Sequence, residues 1–231
     1  LDRSSAASDV YKRQPRGRLA EIADLLAERL RGIKVGVPSR DDVTMGPLAT
    51  QNQLRDVRDG ARKIAECAKL VFGSIDKVEA LGRDGEKGFF MSPLLFTNDS
   101  PSADDVVHNH EVFGPCATVM PYDGTGEDAA RLVAAGGGGL VSSVYSDDAK
   151  FQKAAILGIA PFHGRVTLGT TKVASQAIPP GLVMPQLVHG GPGRAGGGEE
   201  LGARRGLAFY MQRTALQGDR AVLETLTGKR V

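Results

Sequence analysis

The stretch Pro185–Gly202, PQLVHGGPGRAGGGEELG, constrains the chain most: seven of its eighteen residues are glycine, and they follow an apolar run from Leu182 to Val188. Neither a helix nor a strand is built at that glycine density. Such a segment supplies backbone that reaches φ > 0 and lets another stretch of chain, or a ligand, come close. Within it, Gly191-Pro-Gly193-Arg-Ala-Gly196 matches the letters of G-x-G-x-x-G. The dinucleotide reading of those letters needs a preceding strand, a helix opening within the motif and an acidic residue about 20 positions on, inside a βαβ unit. Gly197 and Gly198 follow at once and open a helix poorly, so the expectation is a special loop whose backbone packs against something else. Leu207–Leu216 beyond it reads as a strand, or a short helix turning into one.

Upstream, helical and strand patterns alternate. Leu19, Ile22, Ala23, Leu26, Leu30 and Ile33 form the stripe of an amphipathic helix, and a second stripe runs from Gln51 to Lys69. Strands are expected at Leu70–Gly73, at Gly88–Phe96 with an interruption at Pro93, at Cys116–Pro121, at Leu140–Tyr145 and at Gly164–Gly169. Helices are expected at Gly126–Ala135 and from Asp147, as N-cap, to Leu157. Alternation at this spacing implies an α/β fold with a largely parallel sheet and flanking helices. At 231 residues the chain is long enough for one substantial core or two small ones.

Charge and cysteine content exclude several classes. A net charge of +2, with acids and bases interspersed, offers neither a nucleic-acid surface nor a membrane surface. No apolar run approaches the roughly 20 residues of a membrane span. Two distant cysteines make no disulfide framework, and the default compartment is the reducing cytoplasm. Leu1–Gln14 has no apolar periodicity and resembles the translation of a sequencing adapter, so it is read as a non-native leader and the chain is expected to be cut at its start.

The densest chemistry lies in Asp104–Tyr122, DDVVHNHEVFGPCATVMPY. His108 and His110 would share one face of an extended segment and could ligate a metal, but no further ligands complete a set. Cys67 and Cys116 read as small hydrophobes, because neither position shows the basic or helix-N-terminal setting of a reactive thiolate.

Met45-Gly-Pro-Leu48, Glu111-Val-Phe-Gly-Pro115, the strand–helix–strand order after them and the glycine-rich loop followed by Tyr210 resemble the C-terminal half of an aldehyde dehydrogenase. The loop and Tyr210–Gly218 are most similar to the branch that oxidises CoA-linked semialdehydes in aerobic phenylacetate and benzoate degradation, in part fused to a hydratase domain. Thr170–Gly181 departs from the Ser/Gly-rich segment of that branch.

The resemblance implies an aldehyde dehydrogenase-like catalytic domain over residues 15–205, following the leader at 1–14. Residues 206–231 would hold a C-terminal oligomerisation strand and tail, giving a homodimer or higher homo-oligomer. It implies NADP or NAD as cofactor, with Glu111 accepting hydrogen bonds from the nicotinamide ribose and Phe113 packing near the ring. His163, Arg165 and His189 would lie along the acyl tunnel. The implied reaction is thiohemiacetal formation by a cysteine, hydride transfer to NAD(P)⁺ and hydrolysis of the thioester by glutamate-activated water. The family places that cysteine and glutamate upstream of the first helix, so no catalytic residue is expected in this chain. Two other readings stand beside it: a non-catalytic module that oligomerises with complete subunits, and a different oxidoreductase that binds phosphate through Gly191–Gly196.

Overall fold

The computed structural model describes residues 11–176, 190–196, 204–211 and 214–230. A four-stranded sheet in the order β1-β4-β3-β2 is built from β1 (Tyr11–Pro15), β2 (Lys69–Phe72), β3 (Leu94–Thr97) and β4 (Cys116–Tyr122). β4 pairs in parallel with both β1 and β3, while β2 runs antiparallel along β3. The last four residues of the leader, Tyr11–Gln14, therefore lie in a strand.

Helices α1 (Leu19–Arg31) and α2 (Gln51–Ile64) flank this sheet. In α1 the predicted stripe is realised: Leu19, Ile22, Leu26 and Leu30 gather around buried Ala27, Leu95 and Val119. The α2 stripe places Val57, Ala61 and Ile64 against Leu94, Phe96 and Met120. Thr50 caps α2, its Oγ1 accepting from Gln53 N at 3.1 Å.

The expected helix through Lys69 stops at Ile64, because Lys69 is taken into β2 opposite Thr97. The expected strand from Gly88 begins only at Leu94, past Pro93, which has no N–H to give a ladder. Leu94 N is instead the first donor of the strand, to Pro115 O at 2.8 Å.

The second half is built from α4 (Gly126–Ala134), β5 (Gly139–Tyr145), α5 (Ala149–Ile159) and β6 (His163–Gly169), after a short α3 (Val106–Asn109) in the preceding connection. β5 and β6 pair in parallel, as the strand–helix–strand spacing predicts. Their helix-side residues Val144 and Val166 meet Ala130, Ala155 and Ile159. The crossing of α4 and α5 is close, since a Cβ on Gly158 would stand 2.4 Å from Ala130 Cβ. Tyr122 and Phe151 rings, 5.8 Å apart, join the end of β4 to α5.

The cap of α5 is Asp148, which accepts from Lys150 N and Phe151 N; Asp147, the residue expected there, instead accepts from Thr171 N and Oγ1. Of Leu207–Leu216, read as a strand or a short helix turning into one, Leu207–Phe209 form the end of helix α6 (Arg204–Phe209), and α7 spans Arg220–Thr227. No strand occurs between 204 and 230 among the described residues. Three of the four strand pairs among the described residues are parallel. Among these residues no helix is long and apolar enough to cross a membrane.

Candidate functional site

The connection from α3 to β4, His110–Pro115, is drawn tight by its own backbone. Gly114 N donates to Val112 O at 2.8 Å and Cys116 N to Gly114 O at 2.7 Å, two successive three-residue turns. The loop then lies directly on α2. A Cβ on Gly114 would stand 2.7 Å from both methyls of Val57, and one on Gly60 would stand 3.0 Å from His110 Nε2 and Val112 Cγ2. Glycine at these two points sets how closely loop and helix approach.

One side chain ties the loop to the Met45–Leu48 arm. Gln53, in the first turn of α2, donates from Nε2 to Phe113 O at 2.9 Å and accepts at Oε1 from Ala49 N at 3.0 Å. Leu48 N reaches Phe89 O at 2.9 Å on the far side of the arm. Between arm, loop and sheet lies a cavity of about 690 Å³, with Met45, Leu48, Val112 and Phe113 on its wall and Gln53 and His110 among its polar groups. Sequence reasoning missed Gln53. Thr50-x-x-Gln53 is a capping-box spacing, which signals a helix start but not a partner sixty residues away.

The structure brings Phe113 to the cavity wall and leaves Glu111 exposed on the same loop. Among the described residues no hydrogen bond or ion pair engages the Glu111 carboxylate, so its oxygens are open to an incoming donor. His108 and His110 do not share a face. His108 belongs to α3 and is fully buried, while His110 follows the helix and reaches the cavity. Among the described residues no group of three His, Cys, Asp or Glu is placed to hold a metal.

Both cysteines are half-buried. Cys67 Sγ donates to Ile64 O at 3.5 Å, and burial pushes its thiol up. Cys116 starts β4 on the cavity wall.

The glycine-rich loop closes onto its own sheet. Gly193–Ala195 is a single 3-10 turn, and Gly190, Gly193 and Gly196 have positive φ. A Cβ on Gly193 would stand 2.2 Å from Gly137 O, one on Gly191 2.3 Å from Gly139 O, and one on Gly164 1.5 Å from Gly190 O. Two glycine-rich segments thus pack backbone to backbone across the starts of β5 and β6, and no helix opens at Gly193. His163 sits beside this junction with Nδ1 3.1 Å from Ile159 O, and burial pushes its imidazole down. His189 lies outside the described residues, and Tyr210 is exposed after α6.

Residues 14–216 match the aldehyde dehydrogenase family. The chain belongs to that family. Among curated relatives, it is 40% identical to the protein MaoC of Klebsiella aerogenes over 184 residues, 79% of this chain and 52% of that protein. It is 38% identical over 178 residues to the 3,4-dehydroadipyl-CoA semialdehyde dehydrogenase of Aromatoleum evansii, 77% of this chain and 34% of that protein. Among solved structures, an aldehyde dehydrogenase C variant from Pseudomonas syringae, determined with NAD⁺ and octanal, superposes with a TM-score of 0.62 at 29% identity. That match takes in 80% of this chain and 35% of the other. The chain thus spans about half or less of the length of these family members.

Proposed function

We propose that the chain is the C-terminal part of an NAD(P)-dependent aldehyde dehydrogenase that oxidises a CoA-linked semialdehyde to the acid during degradation of phenylacetate or benzoate. The observation that carries the reading is the Gln53-clamped loop, which presents an open carboxylate at Glu111 and an aromatic ring at Phe113 on the cavity wall. These groups suit a nicotinamide nucleotide. A carboxylate without an internal partner accepts two vicinal ribose hydroxyls, and an apolar wall with a ring accommodates a flat heterocycle. Glu111 and Phe113 would hold the cofactor, whose chemistry is to accept a hydride from the substrate. The chain's own contribution is orientation: the two turns, Gly60 and Gly114 hold the loop on α2, so that both groups keep a fixed separation from β4.

The nucleophile and general base come from outside these residues in this reading. Burial keeps Cys67 protonated near neutral pH, so it lacks the thiolate that attack on an aldehyde requires. The semialdehyde substrate is supported by the likeness to the Aromatoleum protein. Exposed Leu207, Tyr210, Met211, Val222 and Leu226 in the C-terminal segment favour association with further subunits, as a homodimer or a higher homo-oligomer.

The test combines the chain with the upstream half of the Klebsiella aerogenes relative and follows reduction of NAD⁺ and NADP⁺ with a CoA-linked semialdehyde. Turnover is expected only in the combination, and E111Q should raise the cofactor KM by about tenfold with the aldehyde KM little changed. Turnover by this chain alone, abolished by replacing Cys116, would place the nucleophile inside it and defeat the reading.

A further inference from the structure

The two faces of the β5–β6 pair differ in chemistry. Val144 and Val166 face the helices. Alternation along each strand places Val141, Ser143, His163, Arg165 and Thr167 on the opposite face, with Arg165 directly across from Val141. Gly139–Tyr145 and His163–Gly169 together contain a single charged residue, and it is Arg165. Its Nε and Nη1 are buried, and among the described residues they have no hydrogen-bond partner.

A guanidinium keeps its charge at any pH at which a protein folds and has donors only, so its buried N–H groups can be satisfied only by acceptors. Folded chains pair nearly all such groups, and an exception calls for a reason. Packing does not supply one here, since an apolar side chain would fill the place across from Val141 without desolvating a cation. His163, two residues earlier on the same face, is held neutral by its burial, so the positive charge of this face belongs to Arg165.

We propose that Arg165 is a substrate-recognition residue, its buried donors taking a phosphate or carboxylate group of an anionic substrate. The assignment rests on the aldehyde dehydrogenase reading only in taking the anion to be part of the substrate. CoA thioesters carry phosphates, and dicarboxylic semialdehydes carry a carboxylate; either meets two N–H donors with charge-assisted bonds.

The experiment is thermal unfolding and calorimetric titration of this chain with CoA, pyrophosphate, succinate and pantetheine, the last as a control without an anionic group. Either CoA and pyrophosphate or succinate should raise Tm, identifying the phosphate or the carboxylate as the group recognised, and pantetheine should not. R165M should bind the same anion about ten- to a hundredfold more weakly. Its ligand-free Tm should equal or exceed that of the parent chain, because buried donors without a partner among the described residues have been removed. R165K should retain part of the affinity. No shift with any anion, an equal shift in R165M, or an R165M chain that melts well below the parent would each overturn the assignment. None of these outcomes touches the cofactor reading, which is judged by nicotinamide reduction and by Glu111.

Discussion

Replacing Gly114 by alanine adds one methyl group at the point where the loop before β4 meets α2. The new carbon would stand 2.7 Å from both Val57 methyls and 3.3 Å from Val57 Cβ. Carbon atoms settle at about 3.5–4.0 Å, so relief needs a displacement of roughly 1 Å. Val57 is 1% exposed and packed with Ala61, Ile64 and Phe96, so it is tightly enclosed. Gly114 is not among the glycines with positive φ, so the penalty is steric rather than conformational. Overpacking of this kind costs about 1–3 kcal/mol. The assay is equilibrium unfolding in urea, reading the midpoint at unchanged slope.

The companion variant decides the cause. V57A removes the two methyls that clash and, alone, should cost roughly 2 kcal/mol as a core truncation. If contact with Val57 is the reason for glycine, the double variant G114A/V57A should be more stable than the sum of the single effects predicts, by about 1–2 kcal/mol. Strict additivity, or a G114A midpoint unchanged from the parent, would refute the reasoning.

Two further outcomes follow from the same geometry. Q53A removes the bonds to Ala49 N and Phe113 O, and should cost about 1–2 kcal/mol; hydrogen exchange should quicken at Ala49, which loses its acceptor, more than in the body of α2. His163 is pushed down by burial, so its contribution to stability is complete above the unfolded imidazole's ordinary value of about 6.5 and is lost as pH falls through the lower folded value. A Tm–pH profile should therefore fall on the acid side, and H163N should flatten that limb; a parallel profile in the variant would exclude His163 as the cause.

The parts legible in the sequence are those that depend on near neighbours. The α1 and α2 stripes and the parallel β5–β6 pair follow from periodicity, because the apolar positions are separated by one or two turns or by alternate residues. The misplacements occur where a distant partner decides. Lys69 closes the expected second helix yet pairs with Thr97, and Asp147 has the right chemistry for a cap yet answers to Thr171. In the site, the Glu111–Pro115 motif stands out by its letters. The cavity beside it and the Gln53 clamp depend on residues forty to sixty positions apart, and no local pattern records that meeting.

The meeting of Gly190–Gly193 with Gly137, Gly139 and Gly164 has a consequence for how this chain can vary. The contact is made of main chain on both sides, so neither partner can compensate for a change in the other by trimming a side chain, as a core pair does. A saturation-mutagenesis survey of folded yield should show two intolerant clusters far apart in the chain, at which even alanine is rejected. Second-site suppressors should be absent between them, because neither side has an atom left to give up.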